Sequence, residues 1–61
     1  MNELIQYIGK RVRLKYKDRL GNPNDIVCEV KGVNHIQVRV NLLDNREIWV
    51  KFSDIKEIKP L

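Results

Sequence analysis

Strict alternation of charged and apolar side chains over residues 10–17 constrains the fold of this chain more than any other feature. Arg11, Arg13, Lys15 and Lys17 are cationic, and each residue between them is apolar. Successive side chains of a β-strand point to opposite faces of the sheet, so the pattern predicts a strand with one buried face. Its other face carries four positive charges along roughly 20 Å. We call these four residues the basic stripe.

The same period of two recurs further along the chain, which predicts a β-rich domain. Segments of alternating apolar and polar residues are separated by residues that favour turns, as is typical of strands joined by short connections. The predicted strands after the first lie at about residues 26–31, 36–42, 47–52 and 56–59.

Turn and cap residues predict the connections between these strands. Residues 18–25 are rich in turn formers and predict an exposed, mobile loop, and residues 44–45 predict a hairpin turn. Asn2 is placed to cap a short helix over about residues 3–8. Ser53 is placed to cap a single helical turn before the last strand.

A length of 61 residues limits the chain to one domain, spanning 1–61, with a small core. A chain this short buries only about 60% of the surface that its unfolded form exposes, so a large active-site cavity is not expected. The expected core residues are Leu4, Ile5, Ile8, Val12, Leu14, Tyr16, Ile26, Cys28, Val30, Ile36, Val38, Val40, Leu42, Ile48, Val50, Phe52, Ile55 and Ile58.

The order of these pieces predicts a mainly β fold, a strongly bent antiparallel sheet closed into a small five-stranded barrel. Five short strands, a long first loop and one helical turn before the last strand resemble the Src-homology-3-type small barrel. The initial helix followed by the sequence IGKRVRL at residues 8–14 is similar to the opening of Sm-like proteins. Residues 49–58 resemble the ending of YolD-like proteins, which are small bacterial and phage proteins of barrel type.

The chain departs from the Sm-like pattern at two motifs. Sm-like proteins usually carry an Asp and an Asn around the turn between their second and third strands, and residues 32–37 lack that pair at its normal spacing. In the later Sm motif a basic residue precedes Gly, whereas here Lys51 precedes Phe52. Ring assembly and uridine recognition are therefore not carried over from this resemblance.

The charge and cysteine content predict where and with what the protein interacts. A net charge of +4, from twelve Lys and Arg against eight Asp and Glu, favours binding to polyanions or acidic protein surfaces, and also suits a soluble domain.

The single cysteine excludes an internal disulfide and predicts a reducing, cytoplasmic location. Cys28 falls on the apolar phase of its strand, which favours a buried side chain over a reactive thiol. Neither a secretory signal nor a membrane-spanning segment is expected.

The inventory of reactive side chains is poor, which predicts a protein that is not an enzyme. The chain has one His, one Ser and no Thr. His35 lies beside a predicted turn with no partner nucleophile, and one His with one inward Cys cannot supply the three or four ligands that zinc needs. We therefore expect no catalytic residues, no metal and no cofactor.

An outward aromatic residue beside cations is the strongest functional pattern. The strand phase places Trp49 and Lys51 on the outer face, where a ring can stack on a base while cations neutralise phosphates. The same outer face of the neighbouring strand carries Gln37 and Arg39. The candidate binding residues are Arg11, Arg13, Lys15, Lys17, Gln37, Arg39, Trp49 and Lys51.

Two binding functions stay open at this point, beside a purely solvated basic face. The first is a nucleic-acid-binding or nucleic-acid-associated accessory module that contacts RNA or single-stranded DNA. The second is a small phage- or plasmid-type protein-interaction or inhibitor module that docks on an acidic partner protein, and a homo-oligomer is compatible with both. Both binding functions depend on one point of geometry. The basic stripe must adjoin the face that bears Arg39, Trp49 and Lys51.

Overall fold

The computed structural model describes residues 3–61, which form five β-strands and two short 3-10 helices. None of the described helices is long and apolar enough to cross a membrane. In chain order the elements are η1 Glu3–Tyr7, β1 Arg11–Lys17, β2 Pro23–Val33, β3 Gln37–Leu42, β4 Glu47–Lys51, η2 Phe52–Asp54 and β5 Ile55–Pro60.

The five strands form one antiparallel sheet in the order β4-β3-β2-β1-β5. Strands β1 to β4 follow one another in space as they do in sequence, and β5 returns to pair with β1. The mainly β, antiparallel prediction is thus confirmed. The sheet is not closed, since β4 and β5 lie at its opposite edges and no ladder joins them in residues 3–61. The predicted closure into a barrel is therefore not confirmed.

Local differences from the predicted boundaries have simple causes. Strand β2 begins at Pro23, earlier than predicted, because residues 23–25 pair with the end of β1. Pro23 is the first residue of the strand, where a missing N–H costs little. The predicted Ser53 cap is wrong, because η2 begins at Phe52 and no side chain caps it. The predicted Asn2 cap lies outside the described residues.

The core lies on the inner face of the sheet, where the alternation predicted it. Every fully buried apolar residue was expected there, and Tyr7 and Val33 join it as partly buried residues that the sequence did not indicate. Ile5, Ile8 and Ile36 were expected inside and are exposed. The short helix η1 turns Leu4 and Tyr7 towards the core and leaves Ile5 outside, while Ile8 and Ile36 lie in connections before β1 and β3. The buried residues are Val12, Leu14, Cys28, Val30, Val38, Val40 and Val50.

Candidate functional site

The basic stripe faces solvent on β1, as predicted, but acidic partners neutralise its middle. Both Arg13 Nε and Arg13 Nη2 donate to the carboxylate of Asp25 at 2.9 Å, and Lys15 Nζ lies 3.4 Å from Glu57 Oε1. The hydrogen bond from Arg13 lowers the pKa of Asp25, and the hydrogen bond from Lys15 lowers that of Glu57. Both acids are therefore charged at neutral pH. Because Arg13 and Lys15 are paired with these acids, they are less available to an anionic ligand than unpaired cations would be.

The strand order separates the basic stripe from the other predicted binding residues. Strand β2 lies between β1 and β3, and paired residues share a face, so Asp25, Val27 and Glu29 stand beside the stripe on the outer face. An acidic and apolar row therefore interrupts the expected surface. Arg11, Arg13 and Lys15 do not join the outer face of β3 and β4.

Trp49 is half exposed and is held by Arg39 on the neighbouring strand. Arg39 and Trp49 are directly opposite in the β3–β4 ladder, and the Arg39 guanidinium carbon lies 5.8 Å from the Trp49 ring centroid. This distance is within the range of a cation–π contact. Arg39 Nε is also 3.8 Å from Glu47 Oε2, and its guanidinium lies over Gly32, where no side chain intervenes. With 51% of its surface exposed, Trp49 remains accessible to a ligand.

A groove with a volume of about 480 Å³ lies between β4 and the end of β1. We call it the β4 groove. It brings together four of the eight predicted binding residues, Lys17, Gln37, Trp49 and Lys51. The residues that line it are Tyr16, Lys17, Asp18, Arg19, Gln37, Ile48, Trp49, Val50, Lys51 and Asp54.

The β4 groove follows the edge of the sheet. Four consecutive residues of β4, 48–51, line it, although alternate side chains of a strand point to opposite faces. A cavity lined by all four runs along β4, which is an edge strand of the sheet, and it extends to Tyr16 and Lys17 at the end of β1. On the opposite wall β1 extends past its last β5 partner, since Tyr16 pairs with Ile55 and Lys17 has no residue of β5 beside it.

Asp18 fixes the turn that carries Arg19 on the rim of the β4 groove. Its carboxylate accepts hydrogen bonds from the backbone N–H of Leu20 and Asn22 at 2.9 Å, and from the Asn24 amide at 3.1 Å. These bonds lower the pKa of Asp18, and the bond from the Asn22 N–H contributes most to this shift. Gly21 completes the turn with a φ of 82°, which glycine adopts without strain. Residues 18–22 therefore form a hydrogen-bonded turn that positions one wall of the groove.

The β4 groove is mixed in charge with a small cationic excess. Lys17, Arg19 and Lys51 form no ion pair within residues 3–61. Asp18 and Asp54 also line the groove, so its lining has three cationic residues and two acidic ones. Such a groove attracts a negatively charged ligand, but the two acidic residues repel negative charge that lies beside them.

Arg19, Tyr16, Asp18 and Asp54 were not among the predicted binding residues. For Arg19 the sequence did contain a signal, because the cationic period of Arg11, Arg13, Lys15 and Lys17 continues by two residues to Arg19. The turn-forming residues around Arg19 indicated a loop, so the cationic period was not extended to Arg19. Nothing in the pattern indicated that the end of β1 lies opposite β4.

The remaining reactive side chains do not form a second site. Cys28 is fully buried, as predicted, and burial raises the pKa of its thiol to about 11. His35 is exposed in the connection between β2 and β3. Among the described residues no three His, Cys, Asp or Glu side chains lie close enough together to hold a metal ion.

No family model, curated protein or solved structure matches this chain.

Proposed function

We propose that this protein is a non-enzymatic protein-interaction module that holds an acidic segment of a partner protein in the β4 groove. The observation that carries the proposal is that Lys17, Arg19 and Lys51, which have no ion-pair partner in residues 3–61, line the same groove as the half-exposed Trp49. Trp and Arg are enriched where proteins bind one another, and unpaired cations select a partner of opposite charge.

The mixed charge of the β4 groove favours a protein segment over a nucleic acid. A phosphate chain presents a negative charge at every nucleotide, so Asp18 and Asp54 oppose it wherever it passes. A peptide can place its acids beside Lys17 or Lys51 and neutral residues beside the two carboxylates. The pairing of Arg13 with Asp25 further reduces the basic surface that a nucleic acid requires.

Binding of RNA or single-stranded DNA is the second candidate function, and the exposed ring of Trp49 favours it. A base stacked on an exposed aromatic residue contributes about 1 to 3 kcal/mol, and Lys17 and Lys51 lie on either side of the groove to contact flanking phosphates. This candidate requires that the ring bind an unpaired base, so single strands should bind more tightly than duplex.

We extend the proposal to the type of fold and the kind of protein. The strand order, with β5 beside β1, and the helical turn η2 before β5 support a Src-homology-3-type or Sm-like small barrel that is left open at the β4 groove. The likeness of residues 49–58 to YolD-like proteins supports a small phage- or plasmid-type interaction protein. A cytoplasmic location stays a prediction from the single cysteine.

Fluorescence of Trp49 tests the proposed function directly, because it is the only tryptophan in the chain. We expect a peptide of alternating Glu and Val, about seven residues long, to change its emission in a saturable manner. Lys17→Gln should weaken this binding about two- to fivefold, as expected for one exposed charge contact. Arg11→Gln removes the same charge from the same face of β1 outside the groove, and should leave the binding unchanged.

Two outcomes of this titration contradict the proposal. If no acidic peptide changes the emission while a single-stranded oligonucleotide does, with a steep dependence on salt, the nucleic-acid candidate replaces it. If Lys17→Gln and Arg11→Gln weaken the binding equally, the groove is not the site and only the overall charge matters.

A further inference from the structure

We infer that the partner segment binds as an added β-strand along the open edge of β4. This inference rests on the proposed function and specifies how the partner is held. Strand addition requires unpaired backbone groups on β4 that point into the groove. It also requires space beside the edge of β4, and side chains there that an added strand could match.

The hydrogen-bond register of the β3–β4 hairpin shows which backbone groups point into the groove. Leu42 N donates to Arg46 O at 2.7 Å, and Phe52 N donates to Ile36 O at 3.0 Å. Both pairs belong to the register that joins Val40 to Ile48. Hydrogen-bonded and non-hydrogen-bonded pairs alternate in an antiparallel ladder, so Ile48 and Val50 direct their backbone groups towards β3.

The residues between them therefore direct their backbone groups away from β3. Glu47, Trp49 and Lys51 are the non-hydrogen-bonded members of the ladder, and their N–H and C=O groups point to the open edge. The other side of the hairpin agrees, because Gln37 O, opposite Lys51, accepts a bond from Asn34 and not from β4. Within residues 3–61 no strand pairs with this edge of β4.

The backbone groups of Trp49 and Lys51 open onto the β4 groove, which has a volume of about 480 Å³. The groove runs along residues 48–51, and its far wall is the end of β1 with the Asp18 turn. An exposed row of unpaired N–H and C=O groups is a template for a further strand. Strand addition of this kind gives affinity through backbone hydrogen bonds and specificity through alternate side chains.

The side chains along the edge define the chemistry of the added strand. On the outer face it would lie beside Trp49 and Lys51, with Lys17 and Arg19 on the opposite wall, so alternate residues should be acidic. On the inner face it would lie beside Ile48 and Val50, so the residues between should be apolar. The ligand is therefore an extended segment that alternates acidic and apolar residues.

A second copy of this chain is a less suitable occupant. Each chain carries a net charge of +4, and the other exposed edge, β5, bears Lys56, Lys59 and Pro60. Glu57 on the same strand already pairs with Lys15 and Lys59. Pairing this edge with β4 would therefore add lysine charge to the cations of the groove, and proline cannot donate a backbone hydrogen bond. An acidic segment meets neither obstacle.

N-methylation of the peptide tests strand addition without altering the protein. The probe is the alternating Glu–Val peptide, prepared with N-methyl groups either on every Glu or on every Val. In an antiparallel added strand the Glu amides would donate to β4, and in a parallel one the Val amides would do so. We expect one of the two peptides to bind roughly tenfold or more weakly than the parent peptide, and the other to bind nearly as well.

Three results would overturn the inference, and they differ from failure of the proposed function. Equal binding by both N-methylated peptides means that side chains alone hold the ligand, although the groove is still a protein-binding site. Concentration-dependent dimerisation that the peptide does not compete with means that a second copy covers the β4 edge. If the parent peptide does not bind at all, the proposed function fails together with the inference.

Discussion

At the scale of single residues, the sequence located the charges but not their neighbours. Lys15 and Lys17 are two residues apart on the same face of β1, yet Lys15 pairs with Glu57 while Lys17 lines the β4 groove. Alternation predicts which face a side chain occupies, whereas an ion pair depends on strands that meet from distant parts of the chain. For the same reason the sequence could not assign Asp18 or Asp54 to the groove.

Asp18 should act as a positioning residue for the β4 groove. Asp18→Ala removes the acceptor that holds the backbone N–H of Leu20 and Asn22, so Arg19 should lose its fixed place on the rim. We expect binding of the Glu–Val peptide, measured by Trp49 fluorescence, to be about two- to fivefold weaker than in Asp18→Asn, which removes the same negative charge but keeps an oxygen that can accept these bonds. Asp44→Ala is the matched control, because Asp44 makes a similar bond to the N–H of Arg46 in the hairpin turn, outside the groove. Equal losses in the two variants would contradict this role.

The Asp18 turn should also weaken in acid. Hydrogen bonds lower the pKa of Asp18 in the folded protein, so its charged form stabilises the turn above the ordinary aspartate pKa of about 3.9. That contribution is lost as the pH falls through the lowered pKa. The amide resonances of Leu20 and Asn22 should therefore titrate with the Asp18 carboxyl group.

At the scale of elements, the period of two identified the strands but not all of their ends. Strand β2 runs from Pro23 to Val33 because both its ends find partners, on β1 and on β3, although residues 23–25 resemble a turn. A register shift between Val30 and Gly32 lets the strand continue past Lys31. Pairing with neighbouring strands thus overrode local turn preference, which a single sequence does not reveal.

Strand β1 should contribute more to stability than its connecting turn. Leu14 is fully buried between Ile26 on β2 and Ile58 on β5, whereas Leu20 is 86% exposed. Leu14→Ala should reduce the free energy of unfolding by about 2 to 5 kcal/mol, and Leu20→Ala by less than about 0.5 kcal/mol. Urea denaturation followed by Trp49 fluorescence measures both. Equal denaturation midpoints would show that β1 does not carry the core.

At the scale of the whole molecule, the sequence predicted the sheet but not the way its edges approach each other. The alternating segments predicted the mainly β class and nearly all of the core. Lys17 and Lys51 line the same groove although β2 and β3 separate their strands in the sheet, and no single segment encodes this approach. The β4 groove, where the sheet remains open, is therefore a property of the assembled fold.

Amide hydrogen exchange of β4 is the most direct test of a groove that accepts an added strand. In the protein alone, the amides of Trp49 and Lys51 should exchange faster than those of Ile48 and Val50, which bond to β3. Saturation with the Glu–Val peptide should slow exchange at Trp49 and Lys51 and leave Ile48 and Val50 nearly unchanged. If the peptide binds and the Trp49 and Lys51 amides exchange as fast as before, the partner does not pair with β4.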